Sequence, residues 1–148
     1  MFWFYFELIL WFLWQLPQNL VALVMMPFLG KMELVRFENY CWVFSCQKMM
    51  GGISLGNFIF LSPHMAKKEA NVRHELGHTV QSHMLGWFYL FSVGICSLCW
   101  AAFSSNDKCY HDFWTESWAN KLAGLKVGRN QYNCFIYIPN DDEDKDVQ

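Results

Sequence analysis

Apolar residues along the chain form two long blocks that are separated by a half-polar region. Residues 1–30 contain a single charged residue, Glu7, and residues 85–103 contain none. A helix needs about 20 apolar residues to cross a bilayer. A polar stretch around Pro17 interrupts the first block, and proline kinks or breaks a helix. We therefore expect residues 1–30 to be a membrane anchor, either one kinked spanning helix or two shorter pieces that enter the bilayer and return.

The half-polar region predicts one strand and one helix. Residues 53–61 are rich in β-branched and aromatic side chains and glycine, which predicts a strand that ends before Pro63. A helix is predicted from about residue 66 to residue 85, ended by Gly86. Apolar residues at fourfold spacing predict its core face: Val72, Leu76, Val80 and Met84.

After the second apolar block, the pattern predicts a short helix, a strand and an acidic tail. Asp112 is a suitable N-cap for a helix that runs through Leu122 and closes at Gly124. Residues 134–138 are predicted to form a strand. Residues 140–148 are dominated by Asp and Glu, which predicts a solvated, disordered tail.

Composition strengthens the expectation of contact with lipid. The chain is 54% hydrophobic and 19% aromatic, and only 16% of its residues are charged, whereas soluble domains average about 25% charged residues. The net charge is −2, and no basic stripe occurs. A nucleic-acid partner is therefore not expected, because such partners need a basic surface. Membrane lipid is the partner that the composition favours.

The predicted middle helix carries the strongest chemical motif of the sequence, the HELGH stretch at residues 74–78. Two histidines four residues apart project from the same helix face, so His74 and His78 can hold one Zn²⁺ ion at about 2.0–2.1 Å. Glu75 can take a proton from a water that zinc activates. The motif predicts a zinc site with Glu75 as general base. The alternative is a helix whose histidines only make hydrogen bonds.

A second pattern, Glu116-x-x-Ala119-Asn120, follows the HELGH motif. Together the two resemble the gluzincins, in particular the integral-membrane group of the heat-shock membrane protease and the prenyl-protein protease, whose pattern is HExxH followed by ExxAD. The HE-x-GHT-x-QS core also resembles that of short bacterial membrane proteins. The resemblance implies that Glu116 is the third zinc ligand and that the chain cleaves peptide bonds of a peptide or protein substrate.

One residue departs from the gluzincin pattern. The family's aspartate, which orients a zinc-bound histidine, is replaced by Asn120. An amide oxygen can still accept a hydrogen bond from an imidazole, but it adds no negative charge. Because such outer partners commonly matter 10–100-fold, we expect weaker activity, and a catalytically inactive relative is the alternative.

Two residues close to Glu116 in the sequence are further candidates for the site. Tyr110 and His111 are candidates for stabilising the oxyanion of a tetrahedral intermediate. Zincin-type sites also present an edge strand before the metal helix, to which an extended peptide adds. The strand at residues 53–61 is either this edge strand or a simple core strand.

The proposed ligands conflict with a straight second membrane helix. His78 precedes the apolar block 85–103 and Glu116 follows it, and nineteen helical residues cover about 28 Å, close to the hydrocarbon thickness. A straight crossing would put the ligands on opposite sides. Lys and Arg flank the block on both sides, which places both flanks in the cytoplasm. We therefore expect the block to enter the membrane and return, or to pack as a buried helix under the site.

The combined expectation is an α+β, mostly helical fold. Residues 1–30 are the membrane anchor, residues 31–139 form a minimal zincin-like metal-binding domain that includes the apolar segment 85–103, and residues 140–148 form the tail. The expected function is a zinc-dependent peptidase of the cell membrane with its active site on the cytoplasmic face. The alternative is a non-catalytic metal-binding membrane protein, either a pseudoprotease or an interaction subunit.

Overall fold

The computed structural model describes residues 2–103, 113–129 and 135–137, and this part of the chain is a mixed α+β fold. Its α-helices are α1 (Phe2–Trp14), α2 (Leu16–Met25), α3 (Glu69–Leu85), α4 (Ile95–Phe103) and α5 (Trp114–Leu122). Its strands are β1 (Met32–Glu38), β2 (Cys41–Cys46), β3 (Gly52–Leu55), β4 (Phe58–Leu61), β5 (Val127–Arg129) and β6 (Phe135–Tyr137). Short 3₁₀ turns occupy Met26–Phe28, Met65–Lys67 and Gly86–Phe88, and Leu90–Gly94 is a π-helical turn.

A four-stranded sheet in the order β1-β2-β4-β3 packs against α3. β1 and β2 are antiparallel, β2 and β4 are parallel, and β4 and β3 are antiparallel. The prediction of a single strand over residues 53–61 is wrong, because these residues form the β3–β4 hairpin. Gly56 makes the turn with a φ of +61°, a conformation that glycine adopts without steric penalty. β3 consequently lies at the edge of the sheet.

The helix predicted from residue 66 begins three residues later and ends before Gly86, as expected. Val72 and Leu76 are buried against the sheet, in a cluster with residues of β2 and β4. The predicted core face is wrong at its end, where Met84 is 61% exposed. The last turns of α3 instead pack on α2 and α5 through the buried polar side chains of Gln81 and Ser82.

Both apolar blocks are bent. Residues 1–30 form two helices, and Trp3–Trp14 makes an angle of 86° with Leu16–Phe28. Glu69–Phe88 makes an angle of 117° with Leu90–Trp100. Within the described residues, no single helix is long and apolar enough to cross a membrane. Each of the two bent pairs has sufficient length and apolarity only when its two helices are counted together. The membrane anchor therefore stays a prediction.

The C-terminal elements agree with the predicted pattern where the structure describes them. α5 begins at Trp114 with Phe113 at the N-cap, and the predicted N-cap Asp112 lies outside the described residues. The helix ends at Leu122, and Gly124 follows with a φ of +65°. β6 falls within the strand predicted at residues 134–138 and pairs with β5. The predicted tail, residues 140–148, also lies outside the described residues.

Candidate metal centre

The three predicted ligands lie together in the interior of the protein. The Nε2 atoms of His74 and His78, one turn apart on α3, are each 3.2 Å from Oε2 of Glu116 on α5. The three side chains can place one ligand atom each within 4.8 Å of the others. Glu116 is 0% exposed, and the two histidines are buried. The group could hold a metal ion, as the sequence predicted.

Two amide side chains fix the orientation of the histidine rings. Nδ1 of His74 is 2.7 Å from Oδ1 of Asn120, and Nδ1 of His78 is 2.8 Å from Oε1 of Gln81. The Gln81 amide is itself oriented, because its Nε2 donates to the carbonyl oxygen of Thr115. An amide oxygen carries no proton, so each Nδ1 is the protonated nitrogen. In the neutral imidazole, Nε2 then carries the lone pair that a metal ion needs, and it faces Glu116.

This arrangement fits a cation. Two imidazole nitrogens and a carboxylate oxygen face one another, so a proton or a metal ion can be shared between them. Two ligand atoms at about 2.0–2.1 Å from a tetrahedral Zn²⁺ ion lie about 3.3 Å apart, and the Nε2–Oε2 separations are 3.2 Å. Two histidines and one carboxylate are also the ligand set of catalytic zinc sites that keep a fourth position open.

The electrostatics of the cluster also favour a cation. Burial lowers the pKa of His78, but the adjacent Glu116 carboxylate, helped by the charge of Glu75, outweighs it and leaves the pKa raised. Burial acts to raise the pKa of Glu116, and the hydrogen bonds from His74 and His78 hold it well below its usual range. The site therefore keeps a buried negative charge that favours a positive partner, either a proton or a metal ion.

A glycine allows the two ligand-bearing helices to approach. A Cβ atom built at Gly77 would lie 2.8 Å from the carbonyl carbon of Ala119 and 3.2 Å from its Cα, and would collide with its carbonyl oxygen. Any side chain at residue 77 would therefore push α5 away from α3. Gly77 lies between the two histidines, and Ala119 lies one turn after Glu116, so this contact sets the distance between the ligands.

The apolar segment returns to hold the third ligand. Ser97 on α4 places its Oγ 2.7 Å from Oγ1 of Thr115 and 3.1 Å from Oε1 of Glu116. Oγ1 of Thr115 is also 3.3 Å from the same carboxylate oxygen. One oxygen of Glu116 is thus held by hydroxyl groups while the other faces the histidines. Residues 85–103 therefore turn back to the site, and the expectation that they enter a membrane stays a prediction.

Glu75 lies beside the cluster but does not belong to the ligand group. Its carboxylate is buried, and Oγ of Ser54 lies 2.7 Å from its Oε2. On the other side a Cβ atom at Gly52 would collide with its Oε1. Glu75 therefore packs directly against the edge strand β3.

The structure extends the site beyond the residues that the sequence indicated. Asn120 contacts His74, as the resemblance implied, whereas Tyr110 and His111 lie outside the described residues. Ser54, Gln81 and Ser97 were not predicted. Gln81 could have been found, because it is three residues after His78 on the same helix face. Ser54 and Ser97 contact the site only through the tertiary fold.

Comparison with protein-family models, with curated proteins and with solved structures gives no match to the chain. The resemblance to the gluzincins therefore rests on the two sequence motifs alone and stays an expectation.

Proposed function

We propose that this protein is a zinc-dependent peptidase held at a membrane, with Glu75 as its general base. The observation that carries the proposal is the buried convergence of His74, His78 and Glu116, in which both Nε2 atoms lie 3.2 Å from one carboxylate oxygen. A metal ion satisfies all three, and the donor set favours zinc.

The proposed reaction uses the chain's own residues in distinct roles. When bound, zinc would supply Lewis acidity and acidify a water molecule at neutral pH. The Glu75 carboxylate takes the proton of the attacking water and passes it to the leaving amine. Ser54 fixes the carboxylate through Oε2, so the proton-accepting group is held in place before the substrate arrives. Asn120 and Gln81 keep the histidines in the tautomer that leaves Nε2 for the metal.

The edge position of β3 supports a peptide as substrate. In the described sheet, β3 is hydrogen-bonded to β4 on one side, and no further strand pairs with its other side. An extended peptide can add to such an edge by main-chain hydrogen bonds. It would then lie next to Glu75, because Gly52 and Ser54 of this strand contact that carboxylate.

The exposure pattern of α2 supports a membrane location. Its buried residues include Gln18 and Asn19, whereas Leu20, Leu23 and Val24 are exposed. A helix in water shows the opposite distribution. An apolar surrounding medium accounts for it, since lipid accepts leucine and valine and excludes amides. Lys and Arg on both sides of the second apolar block favour a site on the cytoplasmic face.

The proposal is tested by separating metal binding from cleavage. Purified protein should contain about one zinc ion per chain, and His78→Ala and Glu116→Ala should both lose it. Glu75→Gln should keep the zinc and lose at least about 100-fold in cleavage of an unfolded protein or a peptide library. His64→Ala is the matched control, since His64 is exposed and outside the ligand group. Full cleavage by Glu75→Gln, or absence of zinc from wild type after metal addition, would reject the proposal.

Asn120 favours a second candidate, a metal-binding membrane protein without catalytic activity. An amide orients His74 but does not make the imidazole more basic, as the family's carboxylate would. This candidate predicts one zinc ion per wild-type chain and no cleavage of any peptide, with cleavage gained by Asn120→Asp. The same zinc and cleavage measurements therefore distinguish the two.

A further inference from the structure

An apolar groove lies where the two bent helix pairs meet. We call it the elbow groove, and its volume is about 710 Å³. α1 contributes one wall, and the turn after α3 contributes the other. The lining residues are all apolar: Leu10, Leu13, Trp14, Trp87, Phe88 and Phe91. No charged residue lines it.

α1 lies along the surface of the domain and is attached near both ends. Near its start, Glu7 accepts a hydrogen bond from the hydroxyl of Tyr40, and Phe4 stacks on the same tyrosine ring. At its end, the Trp14 indole packs where a side chain at Gly86 would stand. The domain therefore covers one face of α1. The opposite face carries exposed residues at helical spacing: Trp3, Phe6, Leu10 and Leu13.

Both tryptophans of the elbow groove turn their polar atoms inward. Nε1 of Trp14 donates to the carbonyl oxygen of His83 at 2.9 Å, and Nε1 of Trp87 donates to that of Leu13 at 3.1 Å. An indole N–H that leaves water usually needs a hydrogen-bond partner. Here both donors are satisfied within the chain, so the rings can enter hydrocarbon without an unpaired polar group.

Within the described residues, each of these apolar arms is shorter than the hydrocarbon core of a bilayer. α1 has 13 residues and is about 20 Å long. The π turn of 5 residues and α4 of 9 residues together measure about 21 Å. The hydrocarbon core is about 30 Å thick. Bends of 86° and 117° prevent the arms of each pair from adding their lengths in one direction.

From these observations we infer that the elbow groove and the exposed face of α1 form a one-leaflet membrane contact. α1 lies in the plane of the interface, lipid hydrocarbon fills the groove, and neither bent pair crosses the bilayer. The partner is the acyl region of a neutral bilayer rather than an anionic headgroup, because no Lys or Arg lines the groove. The inference rests on the membrane location in the proposed function and deepens it, but it does not depend on peptidase activity, which the zinc and cleavage measurements test separately.

The contact surface is tested by binding the full-length protein to phosphatidylcholine vesicles. Leu13→Ser and Phe88→Ser should each lower the partition coefficient roughly tenfold, as expected for one buried apolar side chain. Leu34→Ser is the matched control, because Leu34 is 58% exposed on β1, compared with 51% for Leu13. It should bind as wild type does. Equal loss in all three variants, or a requirement for anionic lipid, would overturn the inference.

Two further outcomes decide the occupant and the depth. If Leu13→Ser leaves vesicle binding unchanged and converts a dimer into a monomer, a second copy of the chain covers the surface and the inference is wrong.

The depth of insertion is tested with wild-type protein that carries one tag before residue 2 and another in the loop at residues 47–50 and is bound to sealed vesicles. External protease should remove both tags. Protection of the N-terminal tag alone would show that the first pair crosses the bilayer.

Discussion

Replacing Gly77 with alanine is expected to weaken metal binding although Gly77 touches no metal. The new Cβ would lie 2.8 Å from the carbonyl carbon of Ala119, whereas ordinary contacts begin at 3.4 Å. α5 must therefore move away from α3 by about 0.6 Å or more at this point. Glu116 lies one turn earlier on the same helix, so it moves together with Ala119.

Two opposing effects decide the magnitude. Alanine is favoured over glycine inside a helix by about 1 kcal/mol, so a substitution without steric conflict would stabilise the protein. Overpacking a close contact destabilises by about 1–3 kcal/mol, which at least cancels this gain. Metal–ligand distances tolerate only about 0.2 Å. The displacement at Glu116 exceeds this, so we expect zinc affinity to fall by at least about tenfold and stability to stay equal or decrease.

The assay pairs zinc competition against a chelator with thermal unfolding of the metal-free protein. Gly94→Ala is the matched control, because its Cβ would meet Leu90 Cδ1 at 3.4 Å and the Tyr89 carbonyl oxygen at 3.8 Å, both ordinary contacts. The control should keep wild-type zinc affinity. If Gly77→Ala binds zinc as wild type does and is more stable, the helix approach does not set the ligand distances and the reasoning is wrong.

Two other substitutions test the residues around the ligands. Ser97→Ala removes a hydroxyl that holds Oε1 of Glu116 and should weaken zinc binding about 10-fold. Ser92→Ala removes a hydroxyl that donates to the carbonyl oxygen of Phe88, one turn earlier, and should leave zinc binding unchanged. Equal zinc affinities of the two variants in a chelator titration would remove Ser97 from the site. Asn120→Asp places a carboxylate 2.7 Å from Nδ1 of His74 and should tighten zinc binding up to about 10-fold. The same change should lower the unfolding temperature of the metal-free protein, because it adds a second buried negative charge. Unchanged affinity together with unchanged metal-free stability would contradict that expectation.

Local features of α3 were predictable from the sequence. The i, i+4 spacing of His74 and His78 places both on one helix face wherever the helix packs, and Gly86 ends the helix because it adopts a positive φ. Glu116 is 42 residues from His74, so spacing alone could not connect them. Only the resemblance to the gluzincin pattern indicated this ligand, and the fold brings it within 3.2 Å of both histidines.

Tertiary contacts decided the features that the sequence pattern left open or predicted wrongly. The β-branched and aromatic pattern of residues 53–61 fits one strand or a hairpin equally well. The turn of the hairpin depends on Asn57, whose backbone N–H donates to the side chain of Asn19 on α2. The same contact buries Asn19 in a helix whose leucines and valines face outward. Ser97 lies within an apolar run, and only the bend after α3 carries it to Glu116. Local spacing determined the two histidines, whereas contacts between distant segments determined the rest of the site, because their partners lie tens of residues apart.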